Sequence, residues 1–166
     1  RMDVIDLIGK EPENGIAADG PMVHTYLQEM HAATFAGRDV MTVGETWSAT
    51  PQNAPLYSDP ARRELSMVFQ FEHVTRLWDE ELGKWGPKPV DWVALKSVFA
   101  RWQTALHGKG WNSLFWGNHD LPRCVSRYGD DGSRRVASAK ALATVMHMLE
   151  GTPFIFQGEE IGMTNV

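Results

Sequence analysis

The sequence predicts an α/β chain, about the second half of a (β/α)8 barrel, and three observations point there. Apolar segments of strand length alternate with helical patterns, and they lack the in–out alternation of a half-exposed sheet, as parallel strands covered on both faces require. Polar residues gather where those strands end: Asp3, Glu45, Glu72-His73, His119-Asp120 and Glu159-Glu160. In a barrel such ends meet on one face, where active sites sit. A doubly wound open sheet also fits the alternation, but it gathers polar groups at one switch point, often with a glycine-rich phosphate loop, and the chain has no such loop. The third observation is length: 166 residues fall short of the ~250 of a whole barrel.

Each element follows from local pattern. Residues 2–8 read as the end of a buried strand entering a loop. Gly20-Pro21 breaks the chain, and helical spacing follows over 22–35 through Met22, Tyr26, Leu27, Met30 and Ala33. A second strand is expected at 40–44, running into Glu45, then a polar, proline-dotted loop with a short helix over 48–60. Residues 65–71 carry β-forming Val68, Phe69 and Phe71. A loop over 83–89 leads to a helix capped by Asp91, with Trp92, Leu95, Val98, Phe99, Trp102, Ala105 and Leu106 as its apolar stripe. Residues 112–116 form a fourth strand. The helix over 136–149 is apolar almost all round, which predicts burial on more than one side, and 154–156 form a fifth strand.

Composition narrows the function. Hydrophobic residues at 43% and charged residues at 22% exclude a disordered chain. With 16 Lys and Arg against 21 Asp and Glu, the net charge of −5 argues against a nucleic-acid partner. The single cysteine, Cys124, allows no internal disulfide. No apolar run approaches the ~20 residues of a membrane span. The opening Arg1-Met2-Asp3, without an initiator methionine or leader, reads as cut, so any targeting signal is expected upstream.

Three acids at strand ends, Asp3, Glu45 and Asp120, leave glycoside hydrolysis, divalent-metal chemistry and metal-assisted proton abstraction open. Any one of them alone is best read as a helix cap. All three on one rim, with Arg1 and His119 beside two of them, favour catalysis, because buried carboxylates are costly unless paired or used.

Arg1-Met2-Asp3-Val4-Ile5-Asp6, Val43-Gly44-Glu45-Thr46 and Phe115-Trp116-Gly117-Asn118-His119-Asp120 resemble, in order, three blocks of the α-amylase family of glycoside hydrolases. The acids stand 42 and 75 positions apart, suiting one and two βα units with loops. Residues 151–163, His119-Asp120-Leu121-Pro122-Arg123 and residues 64–73 look like the oligo-1,6-glucosidase branch, with the closest likeness to glucan 1,6-α-glucosidases. The resemblance implies a partial catalytic barrel over 1–166, from the end of strand 4 through strand 8, with earlier strands, an inserted loop domain and a C-terminal β-sandwich lying outside.

It further implies Asp3 as nucleophile, Glu45 as general acid/base and Asp120 as transition-state stabiliser. Arg1, His119, Arg123, Val4 and Trp47 are expected around the substrate: Arg1 beside Asp3, His119 on sugar hydroxyls, Arg123 at the pocket rim, and Val4 setting linkage preference. Trp47 is placed equally well under a sugar or in the core. The implied substrate is an oligosaccharide, with no cofactor and no metal in this segment, no nucleic-acid or membrane partner, and a cytoplasmic location. The remainder of the barrel is needed, so the piece alone is expected to be inactive. A trehalose-6-phosphate hydrolase, a maltase, and an inactive barrel used for interaction remain as alternatives.

The other candidates take quieter roles. His24 and His31 are expected to be solvated, and His73 to make a structural hydrogen bond. Cys124 reads as a small buried side chain and Glu159-Glu160 as part of a scaffold loop.

Overall fold

The computed structural model describes residues 1–86 and 88–166; Pro87, inside the expected 83–89 loop, lies outside the described residues. In chain order the elements are α1 (Val23–Met30), β1 (Val43–Glu45), α2 (Ala54–Ser58), β2 (Met67–Phe69), α3 (Glu72–Thr75), α4 (Trp92–Leu106), β3 (Ser113–Leu114), α5 (Cys124–Tyr128), α6 (Arg135–His147) and β4 (Thr152–Pro153). A 3-10 turn spans Ile5–Gly9, and α1 runs on into a π-helical turn at His31–Phe35. The residues fall into two compact units, Arg1–Glu72 with Phe99–Ser113, and His73–Val98 with Leu114–Val166.

The first unit holds a parallel sheet. Met2 bridges Gly44 in parallel, β1 pairs β2 in parallel with Gly44 opposite Val68, and Val68 bridges Asn112 in parallel. Four extended segments therefore lie side by side in chain order, all pointing one way, with helices in the connections, as parallel pairing requires. Gly44 is needed where it stands: a Cβ there would come within 2.7 Å of the Ile5 and Leu65 side chains. Val23 and Leu27 of α1 and Ala54 and Tyr57 of α2 are fully buried, and so, within a few per cent, are Val43, Met67 and Val68 of the strands.

Asp91 caps α4 as expected, accepting from the Ala94 N–H at 2.9 Å. In the second unit Leu95 and Val98 of α4 are buried, whereas Trp92 is 54% exposed and so leaves the predicted stripe. His73 makes the expected structural bond: it is fully buried, edge-on to Phe115, with Nε2 2.8 Å from the Phe115 carbonyl oxygen. Desolvation pulls its pKa down to about 4, so the ring is neutral and Nε2–H is the donor. Trp116 pins α6 through Nε1–H to the Leu142 carbonyl at 2.8 Å, and the Phe154 N–H reaches the Leu114 carbonyl at 2.7 Å.

Three expectations are corrected. The strands are shorter than the apolar runs that announce them: Val40 and Met41 stand 50% and 59% exposed ahead of β1, because ladder pairing with β2 starts at Val43. The last strand is Thr152–Pro153 rather than 154–156, with Ile155 45% exposed. Helix α6 buries only Leu142 and Met146, and leaves Val136 and Val145 exposed, so one face of it is covered rather than several.

Candidate active site

The centre of the first unit's site is one guanidinium nitrogen. Arg1 Nη2 lies 2.7 Å from Asp3 Oδ1 and 2.5 Å from Glu45 Oε2. Those two carboxylate oxygens are therefore no more than 5.2 Å apart. The backbone explains the meeting. Met2 N–H donates to the Val43 carbonyl and Glu45 N–H to the Met2 carbonyl, both at 2.9 Å, so the ends of the two strands are in register. The environments differ: the Asp3 side chain is 70% exposed and that of Glu45 only 5%.

Trp47 completes the surroundings of Glu45. Its indole N–H donates to Glu45 Oε1 at 2.9 Å, and its ring stacks on Phe71 with centroids 3.8 Å apart. It is still 39% exposed, so core packing and an open surface are both realised in one side chain. Val4 adopts φ 35°, ψ 48°, a left-handed conformation that β-branched residues rarely take. Strain of this kind is worth roughly 1–3 kcal/mol and persists where the surroundings dictate it, often at functional sites.

The second unit carries the other expected residues. Asp120 is half-buried, its N–H bonded to Asn118 Oδ1 at 2.8 Å, and its Oδ2 lies 3.2 Å from His119 Nε2. The Arg123 guanidinium sits 4.9 Å from the Phe156 ring centroid and donates to the Gln157 carbonyl, while its backbone N–H reaches Asn165 Oδ1 at 2.8 Å. It ties two loops together. Glu159 in the neighbouring turn is pushed up to about 7 by burial, and burial likewise raises the Cys124 thiol to about 11, which makes it a poor nucleophile.

Two buried carboxylate networks were not foreseen. His24 and His31, expected in solvent, both turn to Glu64: His24 Nδ1 is 2.7 Å from Glu64 Oε2, and His31 Nδ1 is 3.3 Å from its carbonyl. Arg62 at 2.7 Å and Gln28 at 3.0 Å occupy Glu64 Oε1. Asp6, 1% exposed, accepts from Ser48 N–H and Oγ–H. One sequence signal announced the second network, since Asp6 and Ser48 each stand three places past Asp3 and Glu45. Among the described residues, no three His, Cys, Asp or Glu side chains converge as metal ligands would, and no helix is long and apolar enough to cross a membrane.

The whole chain, residues 1–166, matches the model of the alpha amylase catalytic domain. The chain belongs to the alpha-amylase family. Among its relatives, a palatinase of Erwinia rhapontici is 62% identical over 169 residues, and a glucan 1,6-alpha-glucosidase of Streptococcus dysgalactiae subsp. equisimilis is 59% identical over 167. They cover 100% and 99% of this chain, which in turn spans 31% of each of them. A solved structure of Bacillus licheniformis trehalose-6-phosphate hydrolase superposes with a TM-score of 0.91 at 47% identity, covering 99% of this chain and 31% of that one. The family thus accounts for the parallel β-α order of the first unit, and its members here carry the names of glucosidases and related hydrolases.

Proposed function

We propose that this chain is the segment from the end of strand 4 through strand 8 of a retaining α-glucosidase barrel, and that the full-length parent cleaves α-1,6-glucosidic bonds in isomalto-oligosaccharides or dextran ends. The observation that carries this is the shared guanidinium contact, which holds the nearest oxygens of Asp3 and Glu45 within 5.2 Å. Retaining enzymes keep their two carboxyl groups about 5–5.5 Å apart, whereas inverting ones leave about 6.5–9.5 Å for a water.

In the first step the Asp3 carboxylate attacks the anomeric carbon from one side as the bond to the departing oxygen breaks on the other. Glu45 transfers its proton to that oxygen, which leaves as an alcohol, and the glucosyl unit becomes an ester of Asp3. In the second step the Glu45 carboxylate takes a proton from water, the water oxygen bonds to the anomeric carbon, and the ester bond breaks to regenerate Asp3. Two inversions restore the original configuration. Arg1 holds Asp3 in place through its 2.7 Å contact to Oδ1. Asp120, with His119, binds ring hydroxyls and stabilises the positive charge that develops at the anomeric carbon. The chemistry uses these side chains without a cofactor, and a cytoplasmic location belongs to the same proposal, supported by the family resemblance alone.

A second reading has its own support. The second unit has a cavity of about 470 Å³ lined by Lys84, Lys88, Arg127 and Trp85, with no carboxylate in its wall among the described residues, which suits a phosphorylated sugar. With the trehalose-6-phosphate hydrolase superposition, it keeps that activity as the alternative. Measuring kcat/KM of the full-length parent on isomaltose, palatinose, maltose and trehalose 6-phosphate decides between them. Preference for the first two supports the 1,6 reading, and preference for the last overturns it.

A further inference from the structure

Asp6 is 1% exposed, and among the described residues no cation faces it. Its two side-chain partners are both on Ser48: the backbone N–H at 3.0 Å and the hydroxyl at 2.6 Å, both on Oδ2. Oδ1 has no partner at all. A buried carboxylate without a counter-ion is an expensive choice for a fold that only needs a cap, so its position calls for a reason.

Its place in the fold supplies one. The strand end bearing Asp3 and the strand end bearing Glu45 are tied below the carboxylates by the Met2–Val43 and Glu45–Met2 backbone bonds, each 2.9 Å. Asp6 and Ser48 tie the same two segments together beyond the carboxylates, one turn further along each chain. Asp6 and Ser48 stand 42 residues apart, as do Met2 and Gly44, which face each other in the lower tie, so the upper tie repeats its register. Asp3 and Glu45 project from the stretch between the two ties. Val4, the residue that links Asp3 to the Ile5–Gly9 turn, is held left-handed within that stretch.

We infer that Asp6 is a positioning residue, which by accepting both donors of Ser48 sets the distance and direction between Asp3 and Glu45. A carboxylate suits the task, because hydrogen bonds to an ionised acceptor are shorter and about twice as strong as neutral ones. Two donors of one residue on one oxygen also fix orientation as well as distance. This rests on the retaining assignment given above, and the tests separate the two.

The experiment uses the full-length parent and its Asp6→Ala, Asp6→Asn and Ser48→Ala variants. Three readouts are compared: kcat and KM on isomaltose, kcat/KM on α-glucosyl fluoride, and the crystallographic Asp3–Glu45 separation. Fluoride leaves as an anion and needs no proton from Glu45 in the first step, so in kcat/KM, which does not report the shared second step, misplacement of the acid weighs on isomaltose more than on the fluoride. Asp6→Ala is expected to lower kcat on isomaltose about 10- to 100-fold, the scale of an ångström-sized misplacement. KM should change by less than about threefold, and kcat/KM on the fluoride should fall at least ~10-fold less than that on isomaltose. Asp6→Asn, which keeps an oxygen for Ser48, should recover most of the loss. Ser48→Ala keeps the backbone donor and should fall between them, with a measurably wider carboxylate gap.

Equal losses on both substrates, an Asparagine variant no better than Alanine, or an unchanged gap in Ser48→Ala would each overturn the inference. If Asp6→Ala does not fold, Asp6→Asn and Ser48→Ala still decide it. Failure of the parent reading has a different signature: Asp3→Asn and Glu45→Gln would then retain activity.

Discussion

Trp47 lies on Phe71 with ring planes 9° from parallel and, from that fixed position, donates its indole N–H to Glu45 Oε1. The stack orients the indole, and the indole orients the acid. Stacking and hydrogen bonding can be separated by Trp47→Phe in the full-length parent. Phenylalanine keeps the aromatic contact and deletes the donor. A hydrogen bond of this kind contributes ~0.5–1.5 kcal/mol, so kcat/KM on isomaltose is expected to fall about two- to tenfold while the thermal midpoint moves little. Unchanged kcat/KM would make Trp47 a packing residue alone.

The 166-residue chain by itself is expected to show no glycosidase activity above background. It spans 31% of its relatives, and among the described residues Met2, in the first unit's parallel sheet, is bridged on one side only. Such edges favour association with other chains. Purified chain, free of the full-length enzyme, is assayed with an aryl α-glucoside and sized by light scattering. Robust turnover by the monomer contradicts the expectation.

The parallel βα order and the Arg1–Asp3 contact were legible in the sequence because both follow from local pattern: apolar runs ending in acids, and a basic residue two places from one of them. The Asp91 cap was legible for the same reason. What escaped depends on distant partners. His24 and His31 sit on a helix with no local ligand spacing, and only the fold brings Glu64, 40 residues beyond His24, under them. The exposure of Val136 and Val145 on α6 escaped too, since an all-round apolar helix says that it can be covered on several faces, not what covers it. Strand ends were misplaced because apolarity continues past the last ladder bond, as at Val40 and Met41.

Val4 follows Asp3 directly, and its left-handed backbone directs how its side chain is presented. A valine methyl offers an apolar wall to the C6 methylene of a 1,6-linked sugar, where threonine would offer a hydroxyl. Val4→Thr keeps the β-branched shape and therefore the backbone strain. A single contact of this type contributes ~1–3 kcal/mol, so the ratio of kcat/KM for isomaltose to that for maltose is expected to shift about tenfold toward maltose. An unchanged ratio at unchanged stability would leave Val4 as core filling.

Two titratable groups of the second unit, buried His73 and half-buried Glu159, pull stability in opposite directions with pH. His73 is held neutral, its pKa lowered to about 4 from 6.5 by full burial. Between those values the unfolded chain binds a proton that the fold refuses, so this contribution grows as pH rises and is complete above 6.5. Glu159 is raised from 4.5 to about 7, by burial first, with Glu160 adding to the rise and Arg123 opposing it. There the fold holds a proton that the unfolded chain has lost, so this contribution is complete below 4.5 and disappears as pH climbs through 7. In the window where both titrate the slopes offset one another. Glu159→Gln removes one of them, and Gln cannot titrate. The thermal midpoint of that variant, measured from pH 4.5 to 7 in the full-length parent, is therefore expected to climb more steeply with pH than the wild-type midpoint. Cys124, whose thiol burial holds near 11, and Lys or Arg groups stay in one charge state across this range, so they do not blur the comparison. Parallel curves for the two proteins would mean that Glu159 ionises in the fold at its ordinary pKa, and that its neighbours Gly117 and Arg123 accommodate the charge.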